Sequence, residues 1–406
     1  MGNDSTFRTA TLPFMNSPSL PYTTPSLTSR LPLVGTTVFT RMSSLAAQHG
    51  AVNLGQGFPD FDCAPALVDL VADAMRAGHN QYPMMTGAAP LRDAIAAKIA
   101  SLYGHAYDAG TEITVTAGAT QALTTAILCC VHPGDEVIVI EPAYDSYLPA
   151  IALAGGVPVL VAMEVGEQGY SVPWDKLAAA VSGKTRLIII NTPHNPTGTI
   201  LRPADVAALA DIVRGTQILI LSDEVYEHMV YDGVRHESLA RHPELAARSF
   251  IVSSFGKTYH VTGWKVGYVA APEALSAEFR KVHQYNVFTV NTPMQHGLAG
   301  YMADPQPCLD LPAFYQHKRD LFRDGLAGSR FTLLPADGTY FQCVRYDAIS
   351  HDTEAQFAEW LTTEIKVAAI PVSAFYAQGK ESGIVRFCFA KKDETLRLAL
   401  ERLRSI

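Results

Sequence analysis

Residues 186–222 read RLIIINTPHNPTGTILRPADVAALADIVRGTQILILS, and their pattern indicates the fold class most clearly. It opens on a β-branched apolar run at 186–191 and closes on a second one at 217–222, with a segment of helical period between them. Continuous apolar runs are typical of strands buried on both faces, and a helical crossover makes two such strands parallel. The stretch therefore predicts a strand–helix–strand unit of an α/β sheet.

Strand-like runs of the same kind recur on both sides of that unit. Seven such runs lie at 113–116, 136–140, 157–161, 186–191, 217–222, 250–253 and 266–270. Helical candidates lie between or after them, at 120–131, 203–214 and 272–284. Buried strands separated by helices predict one mostly parallel, seven-stranded sheet with helices on both faces.

A different pattern begins near residue 310, where an amphipathic helix is followed by alternating short strands and helices. These candidates are, in chain order, 339–344, 352–364, 384–389 and 393–404. The mixture predicts a smaller α+β domain. We expect a flexible N-terminal tail, a segment that packs with the small domain, a large α/β domain and the small domain. Their expected limits are 1–30, 31–60, 61–300 and 301–406.

The composition excludes several classes of protein. With 406 residues, of which 48% are hydrophobic and 17% charged, the chain can bury the core of a two-domain globular protein, and bulk disorder is not expected. A formal net charge of −8 provides no positive field for nucleic acid or an anionic membrane. The longest uncharged stretch, 146–163, is interrupted by prolines and a glycine pair, so no membrane span is expected.

The cysteines and histidines indicate neither a disulfide framework nor a metal site. The six cysteines have no CxxC or zinc-like spacing, so we expect reduced thiols in a cytoplasmic protein. The 13 histidines show no metal-ligand spacing, and no metal is expected. Residues 1–30 are rich in Ser, Thr and Pro without an apolar signal core, and a transit peptide is the alternative to a tail.

Polar motifs lie at the ends of four predicted strands. They are TAGAT (116–120), NTPHNPTG (191–198), SDEVY (222–226) and SSFGK (253–257). Ligands of open parallel sheets bind at the carboxyl ends of the strands, so these motifs are expected to meet at one site. Singly, each has an ordinary structural explanation, such as a turn for NPTG, a helix cap for Asp223 or a surface position for Lys257. Together they form a set that chance rarely supplies.

These motifs resemble those of the class I aminotransferases, which are pyridoxal phosphate (PLP) enzymes of fold type I. The matching stretches are NLGQGFPDF (53–61), NTPHNPTG (191–198), SDEVYEH (222–228), SSFGKTYHVTGWKVGY (253–268) and VRFCFAK (385–391). The resemblance extends from about residue 32 to the C-terminus and is greatest for the branch of methionine aminotransferases and kynurenine/glutamine transaminases. It implies the fold type I architecture and a PLP cofactor.

The resemblance implies roles for the residues around the cofactor ring. Lys257 is expected to hold PLP as a Schiff base and, once displaced by substrate, to move the proton between the substrate Cα and the cofactor. Asp223 is expected to keep the pyridine nitrogen protonated, which preserves the ring as an electron sink. Asn195 and Tyr226 are expected to hydrogen-bond the phenolic oxygen. Tyr144 is expected to stack on the ring, with a core position as its alternative.

A second set of residues is expected to bind the phosphate. Gly118, Ala119 and Thr120 would offer backbone N–H groups and a hydroxyl at a helix N-terminus, where the helix dipole favours an anion. Ser254 and Lys265 would complete this site. Relatives often carry arginine in place of Lys265, and a lysine offers a point charge instead of a bidentate fork.

A third set is expected to bind the amino acid. Arg386 would bind the α-carboxylate through two parallel hydrogen bonds, with a structural salt bridge as the alternative. Asn195 would contact the same substrate, and Gly57 would let the backbone approach its carboxylate. Phe39 aligns with a pocket aromatic of the kynurenine/glutamine branch. These residues favour uncharged side chains, such as those of methionine, phenylalanine, tyrosine, leucine or glutamine.

The resemblance also implies a homodimer and a reaction. Tyr82 resembles a tyrosine that relatives lend across a dimer interface to the phosphate. The implied reaction is a ping-pong exchange of the amino group between an amino acid and a 2-oxo acid. A cysteine-S-conjugate β-lyase or a kynurenine aminotransferase is the alternative, although Thr289 stands where some kynurenine-type relatives carry histidine.

Two classes of protein outside this enzyme family fit the sequence less well. A PLP-domain transcriptional regulator needs a DNA-binding arm, and residues 1–30 are too short and too weakly basic for one. A nicotinamide-dependent dehydrogenase needs a GxGxxG motif after its first strand, and the sequence has none there.

Overall fold

The computed structural model of the protein describes residues 26–32, 34–167 and 169–406. Residues 1–25, which make up most of the expected flexible tail, lie outside the described residues, so that expectation stays a prediction. The strands are β1 (Val52–Asn53), β2 (Ile113–Thr116), β3 (Glu136–Glu141), β4 (Val157–Ala162), β5 (Glu164–Gly166), β6 (Gly169–Ser171), β7 (Thr185–Asn191), β8 (Leu219–Asp223), β9 (Ser249–Ser254), β10 (Gly267–Ala270), β11 (Thr332–Leu333), β12 (Phe341–Arg345), β13 (Val367–Ala368), β14 (Ile370–Pro371) and β15 (Ile384–Cys388).

The helices vary in length from a single turn to four turns. They are α1 (Val38–His49), α2 (Pro65–Arg76), α3 (Ala89–Tyr103), α4 (Gly118–Cys130), α5 (Tyr147–Ala154), α6 (Trp174–Ala180), α7 (Pro203–Val213), α8 (Pro243–Ala246), α9 (Phe255–Thr258), α10 (Glu273–Asn286), α11 (Thr292–Tyr301), α12 (Gln306–Leu309), α13 (Leu311–Leu326), α14 (Glu354–Trp360) and α15 (Asp393–Leu403). In the described part of the chain, none of them is long and apolar enough to cross a membrane.

The main sheet has seven strands in the order β2–β10–β9–β8–β7–β3–β4. All neighbouring pairs are parallel except those of β10, which runs antiparallel to β2 and to β9. The predicted mostly parallel, seven-stranded α/β sheet is therefore confirmed. Each strand overlaps the apolar run that predicted it.

Side chains of the main sheet alternate between two apolar cores, one on each face. In β7, Ile188 and Ile190 belong to a core that includes residues of α3 and α7. Leu187 and Ile189 belong to a second core, which includes residues of α4, α5 and α10. Because both faces of each strand are buried, the strands appear in the sequence as continuous apolar runs.

The parallel strands bring their carboxyl ends to one edge of the main sheet. Asn191, the last residue of β7, pairs with Asp223, the last residue of β8. The next strand, β9, ends at Ser254, and α9 follows it with Lys257 in its only turn. On the other side of β10, β2 is followed by α4, which begins at Gly118. This edge therefore carries all four polar motifs of the sequence.

A smaller antiparallel sheet lies in the C-terminal part of the chain, in the order β11–β12–β15–β14. Its core includes Phe322, Phe357, Phe387 and Leu396, which come from α13, α14, β15 and α15. The predicted α+β layer is confirmed, although the helix predicted at 352–364 is α14 followed by a π-helical turn, Leu361–Ile365. The exact limits of the two domains stay predictions.

The N-terminal segment contains a helix that the sequence pattern did not predict. The Thr37 side chain accepts a hydrogen bond at the start of α1, and Gly50, with a φ of +59°, ends the helix. Met42 and Ala46 of α1 are buried, and β1 pairs in parallel with β13. The segment thus contacts the C-terminal part of the chain.

Candidate active site

A cavity of about 260 Å³ lies at the carboxyl edge of the main sheet, where β12 and β15 of the smaller sheet also reach it. Its lining residues are Phe39, Gln56, Gly57, Gly118, Ala119, Thr120, Leu123, Tyr144, Asn191, Asn195, Asp223, Val225, Tyr226, Ser254, Lys257, Thr262, Lys265, Phe341 and Arg386. Every predicted site residue except Tyr82 is among them. The structure therefore brings residues from distant parts of the sequence to one place.

One end of the cavity is the start of α4. Gly118 begins the helix with a φ of +76°, and a Cβ there would lie 3.3 Å from the Lys265 Nζ, so the glycine leaves room for the lysine. The N–H groups of the first turn have no partner within the helix, and Thr120 and Ser254 add hydroxyls to the same lining. Helix N-termini favour anions. This end of the cavity can hold a phosphate group.

Asp223 provides a buried acid in the same cavity. It is 4% exposed, and the Tyr147 hydroxyl donates a hydrogen bond of 2.7 Å to its Oδ2. The Val225 N–H donates a longer one, of 3.4 Å, to its Oδ1. Burial raises the pKa of Asp223 to about 6, because an apolar environment disfavours the charge, and the Tyr147 hydroxyl opposes that rise. The carboxylate is therefore ionised at neutral pH and can accept a hydrogen bond from a protonated ring nitrogen.

Lys257 provides a buried amine. Its Nζ donates to the Tyr340 hydroxyl at 2.9 Å and to the Gly57 carbonyl at 3.2 Å. Within the described residues no carboxylate forms a hydrogen bond with it. Burial lowers the pKa of Lys257 to about 8. A substantial fraction of the amine is therefore neutral near physiological pH, as nucleophilic and base chemistry require.

Arg386 and Asn195 form a pair at the other end of the cavity. The Arg386 Nη1 donates to the Asn195 Oδ1 at 2.7 Å, and its Nη2 donates to the Gly55 carbonyl at 2.9 Å. The Arg386 Nε is buried and has no partner among the described residues. Because the Asn195 oxygen is occupied by Arg386, its Nδ2 is left as a donor. The pair can thus bind one anion with the guanidinium and a second acceptor with the amide.

Aromatic rings surround this pair. The Arg386 guanidinium carbon lies 3.9 Å from the centre of the Phe341 ring and 5.5 Å from that of Phe39. Burial raises the pKa of the Tyr226 hydroxyl above its ordinary range, so this hydroxyl stays protonated and can donate. The Tyr144 hydroxyl lies 3.2 Å from the Thr120 Oγ1, at the phosphate end. The space between the two ends is therefore bounded by uncharged rings.

Three aromatic residues within or near the motifs lie outside the cavity lining. Tyr82 is 80% exposed, and its ring contacts that of Phe288 with 5.3 Å between centres. Phe58 is also exposed. Tyr82 does not reach the cavity of its own chain, and its service to a partner's site stays a prediction.

Three residues to which the site gives a role were missed by reasoning from the sequence, and one of them is Phe341, whose ring lies 3.9 Å from the Arg386 guanidinium carbon. Tyr147 contacts Asp223, and Tyr340 contacts Lys257. Tyr147 follows Tyr144 closely in EPAYDSY, and Tyr340 and Phe341 lie in the strand predicted at 339–344, so nothing in the local sequence marks them as site residues. Only the folded structure distinguishes them from ordinary core residues, because it brings Tyr147 to Asp223 and Tyr340 to Lys257.

The family model for aminotransferase class I and II matches residues 50–403. The chain belongs to the class I and II aminotransferases. This aminotransferase is 50% identical over 392 residues to the methionine aminotransferase of Escherichia coli, a match that covers 96% of this chain and 100% of the relative. It is 41% identical over 385 residues to the probable N-succinyldiaminopimelate aminotransferase of Mycobacterium tuberculosis, covering 92% and 97%.

A solved structure agrees with the sequence comparison. The crystal structure of an Escherichia coli protein identified as a methionine aminotransferase matches this aminotransferase with a TM-score of 0.92 and 51% identity, over 94% of this chain and 100% of the other. The family resemblance and the fold type I architecture predicted from the motifs are thereby confirmed, as is the class of enzyme.

Proposed function

We propose that this aminotransferase holds PLP in the cavity through Lys257 and transfers the amino group of an uncharged L-amino acid to a 2-oxo acid. The observation that carries the proposal is that a buried amine, a buried acid and an anion-binding helix start line one cavity. No single member of this set indicates PLP. Their combination corresponds to the aldehyde, the ring nitrogen and the phosphate of that cofactor.

The donor set fits the cofactor. Gly118 and Ala119 would offer N–H groups to the phosphate, and the Lys265 ammonium would add a positive charge. Asp223 is a buried acid with no cationic partner among its described hydrogen bonds, and a protonated ring nitrogen would supply one. Tyr226 and the Asn195 amide would donate to the phenolic oxygen. When bound, the cofactor supplies an electron-withdrawing ring that stabilises negative charge at the substrate Cα.

The residues of the chain then divide the work of the reaction. The Lys257 amine, neutral above about pH 8, takes the proton from the substrate Cα. The Asp223 carboxylate holds a proton on the ring nitrogen, which needs the acid to be ionised above about pH 6. Above about pH 6 most of Asp223 is ionised, and the neutral fraction of Lys257 grows as the pH approaches about 8. The activity should therefore rise with pH up to about 8.

The substrate end supports an uncharged side chain. The Arg386 Nε is a buried donor without a described partner, from which an α-carboxylate can accept. The cations of the lining are Arg386, Lys257 and Lys265, and each already has a role in this scheme. A donor with a distal carboxylate would need a further cation. The rings of Phe39 and Phe341 instead favour apolar, aromatic or amide side chains such as those of methionine, phenylalanine, tyrosine, leucine and glutamine.

A donor panel tests this proposal. The PLP-loaded enzyme is mixed with single amino acids, and its absorbance is followed as it converts to that of pyridoxamine phosphate. We expect conversion with methionine, phenylalanine, leucine or glutamine, slower conversion with aspartate, and none with the Lys257→Ala variant. No conversion with any uncharged donor would contradict the proposal. Release of pyruvate and ammonia from a cysteine conjugate would favour the β-lyase alternative.

We also propose a cytoplasmic homodimer in which Tyr82 serves the partner's phosphate. The Tyr82 ring, 80% exposed, contacts the Phe288 ring, 39% exposed, and a second copy could cover these two exposed rings. The six cysteines are free thiols, which supports a reducing compartment.

Hybrid dimers test the role of Tyr82. In a mixture of Lys257→Ala and Tyr82→Ala chains, one hybrid site would carry both changes and the other would carry neither. We expect the mixture to regain activity that neither variant has alone. If Tyr82 served its own chain, every site would carry one change and no activity would return.

A further inference from the structure

Tyr340 is held rigidly beside the catalytic lysine. It is fully buried, and its backbone carbonyl accepts a hydrogen bond of 2.9 Å from the Phe389 N–H. The ring packs edge-on against Tyr226, with 5.1 Å between centres, and lies 5.7 Å from Tyr315. Packing on several sides fixes the position of the hydroxyl.

The Tyr340 hydroxyl joins two groups of the cavity. It donates a hydrogen bond to the Gly57 carbonyl, so its single proton is committed there. Its oxygen can then only accept, and it accepts from the Lys257 Nζ at 2.9 Å. The same Nζ donates to the Gly57 carbonyl at 3.2 Å. Tyr340, Gly57 and Lys257 form a closed triangle of hydrogen bonds.

This triangle constrains the lysine nitrogen. A neutral amine has two N–H bonds and one lone pair in addition to its bond to Cε. Both of its described partners are acceptors, so they use the two N–H bonds. The lone pair is left on the remaining side of the nitrogen, away from both acceptors.

We propose that Tyr340 is a positioning residue for the reaction, which together with the Gly57 carbonyl holds both N–H bonds of the displaced Lys257 amine and so presents its lone pair as the base. This inference rests on the proposed function of Lys257. The substrate Cα–H bond breaks, its proton joins the Lys257 lone pair, and its electron pair stays on the substrate carbon. The new N–H is then the one that neither Tyr340 nor Gly57 holds, so it is the proton that the amine passes on.

The test uses Tyr340→Phe, which removes only the hydroxyl. Its matched control is Tyr315→Phe, because the Tyr315 hydroxyl is buried beside the same ring and has no partner among the described residues. The other charged or titratable groups near the amine, which both variants retain, are Asp223, Tyr226, Lys265, Arg386 and Cys388.

The first measurement uses the cofactor-free protein. The rate at which an amine-reactive reagent modifies Lys257 is measured by mass spectrometry over a range of pH, which gives the apparent pKa of the amine. An acceptor stabilises an ammonium more than a neutral amine, so Tyr340→Phe should lower this pKa by about 0.5 to 1 pH unit. If the hydroxyl only supported the packing, its removal would expose Lys257 to water and so raise the pKa of the amine. A rise, or no change relative to Tyr315→Phe, would overturn the proposal.

The second measurement uses the PLP-loaded enzyme. Tyr340→Phe should lower kcat about 10- to 100-fold while KM for the amino donor changes less than about 3-fold, because the base is misoriented and the carboxylate site is intact. Tyr315→Phe should keep the wild-type kcat. A wild-type kcat in Tyr340→Phe would overturn the proposal.

A second variant covers the case in which Tyr340→Phe does not fold. Replacement of Tyr340 by 3-fluorotyrosine keeps the ring and hydroxyl but makes the oxygen a weaker acceptor, and it should lower both kcat and the apparent pKa of Lys257 to a smaller extent. No change in either would count against the proposal. If the wild-type enzyme transaminates no donor, the proposed function fails, whereas the modification experiment still decides whether Tyr340 holds the amine.

Discussion

Tyr147→Phe should change the protonation of Asp223. The Tyr147 hydroxyl is buried and donates at 2.7 Å, whereas the other described donor, the Val225 N–H, is 3.4 Å away. A hydrogen bond to a charged group contributes about 1.5 to 3 kcal/mol, and about 1.4 kcal/mol corresponds to one pH unit. Removing the hydroxyl should therefore raise the pKa of Asp223, which is about 6 in the intact site, by about 1 to 2 pH units.

The pH dependence of PLP binding reports this change. Only the ionised carboxylate can pair with a protonated ring nitrogen, so the affinity of the cofactor-free protein should fall about tenfold per pH unit below the pKa of Asp223. In titrations from about pH 5 to 9, the wild-type curve should bend near pH 6 and the Tyr147→Phe curve about 1 to 2 pH units higher.

A matched control separates this effect from the loss of any buried hydroxyl. The Tyr170 hydroxyl is buried and has no partner among the described residues, so the PLP-binding curve of Tyr170→Phe should bend at the same pH as the wild-type curve. If the Tyr147→Phe curve also bends at the wild-type pH, the Tyr147 hydroxyl does not control the charge of Asp223.

Three further predictions concern binding and stability. Arg386→Lys should raise KM for the amino donor about 10- to 100-fold in steady-state assays, because a point charge replaces the fork, and an unchanged KM would argue against carboxylate binding there. Gly57→Ala would place a Cβ 2.9 Å from the Phe341 Cζ, so the backbone or the ring must shift and KM for the amino donor should rise about 10-fold. An unchanged KM would mean that the substrate carboxylate does not approach the backbone at Gly57. Lys98→Met would leave the Glu227 carboxylate, which lies 2.6 Å from the Lys98 Nζ, buried without its cation. The free energy of unfolding measured by urea denaturation should fall by about 3 to 5 kcal/mol, and a fall below about 1 kcal/mol would contradict this.

The strands of the main sheet could be predicted because strands buried on both faces appear in the sequence as continuous apolar runs. A strand such as β7, with Leu187 to Ile190 all buried, needs apolar side chains in succession. The positions of Asn191 and Asp223 followed, because residues at the ends of parallel neighbours meet at one edge. The roles of these residues came from the family resemblance, since strand ends alone do not distinguish a catalytic lysine from a surface one.

The sequence could not predict features that depend on tertiary packing. The contact of Tyr340 with Lys257 joins residues 83 positions apart, and nothing in the local pattern of either residue indicates the other. The helix α1 was missed for a different reason. Its buried face contributes only Met42 and Ala46 as fully buried residues, so its apolar stripe is weak, and the capping residues Thr37 and Gly50 were the better signal.

The bond between the Lys257 amine and the cofactor is the step on which the proposed function depends. The direct measurement is to incubate the protein with PLP, reduce the bond with borohydride and locate the added mass by peptide mass spectrometry, with Lys257→Ala as the control. We expect the mass on Lys257 alone and none in the variant, which should still bind PLP without a covalent bond. Stoichiometric label on another lysine, or near-normal turnover by Lys257→Ala, would contradict the assignment of Lys257.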